Sequence, residues 1–235
     1  MQADLPASRG RGTHWLMGRL VAPPPPSYRS RSTRKRKTSP KAVSARVLPN
    51  RRWASSRWAE TPNYYNTPQP APVIDRRRPG KSFVHLLRKS DIGLFTELLP
   101  GWNRLSGGLD AIVLSEGCTE TYGWHIPGVI HVGAWPRSLW EVVSEDFLEG
   151  NADILERLEV EVTPHGDDYV LEWTWPKAKA FQLLDVFLHE LGHHHDRMTT
   201  RNQFDIARGE PFADAFAQHH RAIVWDDYVR HFELD

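Results

Sequence analysis

Apolar positions in this chain fall into short runs of two distinct periods from about residue 81 onward, and show no period before it. Over 176–196, Ala180, Phe181, Leu184, Phe187, Leu188 and Leu191 recur at spacings of one, three and four, the stripe of a helix with one face on a core. Pro176 suits the first turn of that helix, where its missing N–H costs nothing. A second amphipathic helix is predicted from Glu210-Pro211, with Phe212, Ala213, Phe216, Ala217, Ile223 and Val224 along its stripe. Residues 158–163 and 169–174 alternate polar and apolar around Pro164-His165-Gly166-Asp167-Asp168, the signature of a hairpin. The stretches 109–115 and 128–133 read as strands joined by 116–127. Short helices are predicted over 82–89, 92–99 and 139–148, the second ending at Pro100-Gly101. Together these elements predict an α+β domain with a small mixed or antiparallel sheet.

Composition changes the picture mainly for the first 80 residues. They hold 12 of the 18 prolines, including Pro23-Pro24-Pro25-Pro26. Residues 1–90 carry 20 Lys and Arg against 3 Asp and Glu, whereas residues 91–235 carry 10 against 26, so a near-neutral total hides a formal +17 and −16. Such a proline-rich basic segment cannot bury enough apolar surface to offset its ordering entropy. A disordered basic tail over 1–80 and a folded unit over 81–235 are therefore expected. The run 29–41, centred on Arg34-Lys35-Arg36-Lys37, suits nucleic-acid phosphates, an acidic partner or, as a pro-segment, the acidic domain of the same chain, but the simplest reading is a solvated extension. An Arg-rich, acid-poor start also has the composition of an organelle transit peptide. No stretch reaches the roughly 20 apolar residues of a membrane span. Cys118 is the only cysteine, which removes internal disulfides and makes a reducing compartment, the cytoplasm, the simplest expectation.

The candidate chemistry lies at the end of the first long helix, in His189-Glu190-Leu191-Gly192-His193. Two histidines four apart on a helix are separated by about 400° of rotation and roughly 6 Å of rise, so both imidazoles leave one face and can share one metal ion. Glu190 sits one step round from His189, within reach of a water at that metal, and so qualifies as a general base. Gly192 is out of place in a helix by about 1 kcal/mol, and crowding of the metal site by a side chain there explains its presence. A catalytic zinc takes three protein ligands and keeps one position open. Thr199, ten residues after His189, is not a histidine, which excludes the metzincin pattern. Glu210 and Asp214 lie four apart on the second helix; Glu210 can complete the ligand set, and Asp214 can accept the free ring N–H of a ligand histidine and fix its tautomer.

These two motifs, His189-Glu190-Leu191-Gly192-His193 and Glu210-x-x-Ala213-Asp214-x-Phe216-Ala217, resemble those of the gluzincins, nearest in pattern to the ImmA/IrrE-type peptidases. The resemblance implies a zincin-like minimal metallopeptidase domain with an active-site helix and a Glu-bearing helix. It implies one zinc ion on His189, His193 and Glu210, Glu190 as the base that activates water, and Asp214 behind a ligand histidine. Manganese, iron or cobalt also suits two imidazoles and a carboxylate. Sites of this class add a Tyr or His beside the tetrahedral intermediate; Tyr228 and His220 are the candidates here, with His194 and His195 set further off by their rotation on the helix. The resemblance further implies an edge strand that holds substrate backbone over the metal, and 128–133, flanked by Gly128 and Gly133, fits that part. The expected activity is zinc-dependent hydrolysis of a peptide or protein substrate. The alternative is a non-catalytic metal-binding or regulatory protein whose basic tail contacts nucleic acid or an acidic partner; an intact Glu190 favours the enzyme, because a structural zinc needs no base.

Overall fold

The structure is a computed structural model that describes residues 62–200 and 207–234. Its main sheet has four strands in the order β1 (Val73–Arg76), β3 (Ala111–Ser115), β5 (Val129–Gly133) and β4 (Gly123–Ile126). The first three run parallel, and β4 returns antiparallel along β5 to form one edge. Every residue of β3 and β5 is buried, as expected of parallel strands covered on both faces. Alternation decides which face each side chain joins. Ile112, Leu114, Ile130 and Val132 enter the main core, while Ala111, Val113 and Val129 form a small second cluster covered by Tyr64 and Ile126.

Around this sheet stand α1 (Lys89–Leu98), the short α2 (Trp102–Leu105) and a two-residue ladder between β2 (Phe83–Val84) and β6 (Trp135–Pro136). A separate antiparallel sheet in the order β7 (Trp140–Val143), β9 (Asp168–Glu172), β8 (Glu161–His165) contains the predicted hairpin. Between its strands lies α3 (Glu145–Arg157), started by the Ser144 hydroxyl accepting from the Phe147 N–H. The long central helix begins as α4 (Trp175–Phe181), capped by Thr174. It widens into a π-helical segment (Gln182–Phe187) and continues as α5 (Leu188–Thr199). All six residues of the π segment are buried, so this helix is packed on every side. Last comes α6 (Glu210–Phe232), which lies against α5. Among the described residues no helix is long and apolar enough to cross a membrane.

Several expectations need correction. Residues 82–89 form no helix: Phe83 and Val84 pair with Pro136 and Trp135, and α1 starts only at Lys89. Within 139–148 the first half is strand β7, because Trp140, Val142 and Val143 find partners on β9 and Ser144 then starts a new helix. The joining stretch 116–127 contains β4, so 128–133 is not the sheet edge; β5 is hydrogen-bonded on both sides and β4 holds the edge. The folded unit starts before residue 81, since β1 pairs along β3. Residues 1–61, including the basic run 29–41, lie outside the described residues, whereas 62–80 of the expected tail are described.

Candidate metal centre

Two helices bring the predicted residues to one point. His189 and His193 leave the same face of α5, and their Nε2 atoms stand 3.0 Å apart. Glu210, the first residue of α6, places Oε2 3.1 Å from His189 Nε2 and Oε1 3.4 Å from His193 Nε2. Donor atoms around a tetrahedral zinc at 2.0–2.1 Å stand about 3.3–3.4 Å apart. The observed spacings depart from that by a few tenths of an ångström, so two imidazole nitrogens and a carboxylate fit one ion of zinc size. His189 and His193 are buried and Glu210 is partly exposed.

Asp214, one turn along α6, places Oδ1 3.0 Å from His189 Nδ1. A proton held on Nδ1 leaves Nε2 as the lone-pair donor, which is the tautomer a metal requires. Burial alone lowers the His189 imidazolium; its bonds to Asp214 and Glu210 overturn that and raise it to about 9 without a metal. Burial works upward on Glu210, and hydrogen bonds from His189 and His193 bring it well below the ordinary carboxylate range. Glu190 is buried too, and desolvation, offset in part by His189 and His193, pushes its carboxyl up to about 7.

The edge strand reaches this point as well. A Cβ built on Gly123 of β4 would lie 3.2 Å from Glu190 Cγ, so the strand passes close to Glu190. Gly192 serves the helix pair rather than the metal pocket: a Cβ there would stand 2.8 Å from Ala213 Cα and 3.1 Å from its carbonyl oxygen. Its lack of a side chain lets α6 approach α5 closely beside the ligands.

Two buried acids that the sequence reading passed over hold α6 in place. Asp185, in the π segment, accepts from Arg221 Nη1 at 2.6 Å, and Arg221 Nη2 reaches Asp153 at 2.7 Å. Burial raises the Asp185 carboxyl to about 6 against the pull of Arg221. Asp196, in the last turn of α5, is fully buried and accepts from Arg208 Nε, Arg208 N and Gly209 N. Burial would raise Asp196; those bonds outweigh it and lower it. An acid in the last turn of a helix opposes the dipole of that helix, and this was the signal in the sequence that Asp196 has a partner elsewhere.

The candidates for a group beside the tetrahedral intermediate are corrected. Tyr228 is buried in the core against Phe95 and Phe232, and eighteen residues of helix, about 27 Å of rise, separate it from Glu210. His220 stacks on Phe216 with ring centres 4.0 Å apart and donates from Nδ1 to the Phe216 carbonyl, some 15 Å of rise from Glu210. His194 is buried and its Nε2 donates to the Gly107 carbonyl at 3.0 Å, while His195 packs on Phe212 and Phe216. No protein-family model, curated protein or solved structure matches the chain.

Proposed function

We propose that this chain is a zinc-dependent peptidase of the gluzincin type, with a zincin-like arrangement of one sheet edge and two ligand-bearing helices. The observation that carries this reading is the convergence of His189, His193 and Glu210 at the spacing of tetrahedral ligands, with the Glu190 carboxyl buried beside them. A bound zinc supplies Lewis acidity toward a carbonyl oxygen and lowers the pKa of water toward neutrality. The protein supplies the rest. Asp214 holds His189 in its donor tautomer. Glu190 takes the proton of the attacking water and returns it to the leaving amine.

The free edge of β4 supports a peptide as the substrate class. Among the described residues β4 pairs on one side only, with β5, and its Gly123 lies close to Glu190. An extended segment added to that edge would be held by main-chain hydrogen bonds with a peptide bond over the metal. Such binding reads backbone and not sequence, which fits a peptidase better than an enzyme of small molecules.

The test uses the full chain loaded with zinc, an unfolded protein such as casein as substrate, and Glu190→Gln beside it. The reading predicts hydrolysis by the unaltered chain, abolished by chelation. It predicts a loss of about 10²- to 10⁴-fold in kcat for Glu190→Gln with zinc content unchanged. Hydrolysis that survives Glu190→Gln would refute it.

A further inference from the structure

Glu210 can act as a ligand only if the start of α6 is fixed in place, and its own bonds to His189 and His193 are ones that a metal would replace. It is the first residue of its helix, partly exposed, and Gly209 before it offers no side-chain cap. The fixing comes from the other ligand helix. Asp196 Oδ2 accepts from two successive backbone N–H groups, Arg208 at 2.7 Å and Gly209 at 3.1 Å. Its Oδ1 accepts from Arg208 Nε at 2.7 Å. Arg208 also bonds the Thr199 hydroxyl and lays its guanidinium over the Phe212 ring at 3.6 Å. Both carboxylate oxygens are therefore used, and all their donors lie in the two residues that precede Glu210.

Backbone geometry supports the same conclusion. Gly209 has φ 68° and ψ −155°, a conformation that side chains disfavour. It lets the Gly209 N–H point back to Asp196 while the next residue sends its carboxylate forward to the histidines. Charge is consistent as well: a carboxylate is unfavourable at the end of α5 and favourable at the start of α6, so Asp196 is stabilised by the junction it makes.

We infer that Asp196 is the positioning residue of the metal centre: by clamping Arg208 and Gly209 to α5 it presets Glu210 as the third ligand, in the zinc site proposed above. It touches neither metal nor substrate. Its effect passes through Glu210 alone, and this separates it from a residue that merely stabilises the fold.

That separation can be measured as a double-mutant cycle in zinc affinity, read by competition with a chromophoric chelator on the full chain. Asp196→Asn keeps the size of the side chain and replaces the oxygen facing Arg208 or the backbone with a donor. It should weaken zinc binding by about 10- to 100-fold in the presence of Glu210. In the Glu210→Ala background, where zinc rests on the two histidines, the same change should have almost no effect. Arg208→Ala, a change at an exposed side chain, serves if Asp196→Asn does not fold; it should give a smaller, few-fold weakening with the same dependence on Glu210. Equal losses with and without Glu210, or no loss at all while the unaltered chain binds zinc, would overturn the positioning role and leave the metal centre standing. Failure of the unaltered chain to bind zinc would overturn both.

Discussion

At His131 two aromatic faces replace the solvent that a histidine normally keeps: Trp124 stacks on it at 4.5 Å and Tyr65 at 6.2 Å. Burial, helped by the nearby Arg77 charge, lowers its pKa from 6.5 to about 4. His125 on the neighbouring strand is pushed further, to about 2, by burial and by the bases around it. Glu141 goes the other way. Fully buried, with Tyr122 beside it and Trp173 donating to it at 2.8 Å, its carboxyl rises from 4.5 to about 7. The signs follow from linkage. The neutral histidines contribute stability in full above about pH 6.5, and it is lost as the pH falls toward 4. The protonated Glu141 contributes in full below about pH 4.5, and it is lost as the pH rises through 7. Urea unfolding across this range should therefore show an acid limb from the histidines opposed by a neutral-side decline from Glu141. Glu141→Gln should shrink the decline, the rest of which comes from the raised Asp185 and Glu190 carboxyls, and keep the acid limb; a variant that declines just as the parent does would contradict this assignment.

Between α5 and α6 a single missing side chain sets the approach of two elements. Replacing glycine with alanine inside a helix ordinarily gains about 1 kcal/mol in propensity. At Gly192 the new Cβ would meet backbone of Ala213 at 2.8 Å, and backbone cannot rotate away. Overpacking of that kind costs about 1–3 kcal/mol, so the clash outweighs the propensity. Gly192→Ala should lower unfolding free energy in urea and weaken zinc binding together, whereas a net gain of about 1 kcal/mol would show that α6 is free to move. The sequence reading placed Gly192 beside the metal but assigned the wrong neighbour, because a helical wheel gives direction and not what stands opposite. The same limit explains Tyr228 and His220, whose rotation suited the site and whose height along α6 did not. Elements with a strong local period were legible: α5, α6, β3 and β5 appear where the apolar spacing placed them, and the β8–β9 hairpin appears with its turn narrowed to Gly166-Asp167 and its first strand shifted to Glu161–His165. Those fixed by pairing were not. β4 is four residues, Gly123–Ile126, inside a stretch rich in Thr, Gly and Pro, and only its ladder with β5 makes it a strand. β7 looked helical until Trp140, Val142 and Val143 met β9. Nor does any apolar period announce the π segment or the buried acids Asp185 and Asp196, whose partners Arg221 and Arg208 lie 36 and 12 residues away.

Across the whole molecule, three separate stretches of chain meet at one place: the edge strand β4, the end of the central helix and the first turn of α6. The sheet and the packed central helix give the first two a rigid seat, since β5 and the π segment are buried throughout. The third is attached by side chains, through Asp196 to Arg208 and Gly209 at one end and through Asp185 to Arg221 further along. A metal ion would close this junction a third time, binding two ligands from α5 and one from α6. Glu210 therefore matters more to the junction than either histidine, because it alone would make the ion span both helices. The most direct measurement is the zinc content of the purified full chain by mass spectrometry beside that of Glu210→Ala. One tightly held zinc per chain is expected, lost or loosely held in the variant. No zinc in the parent, or one zinc held equally well without Glu210, would contradict it.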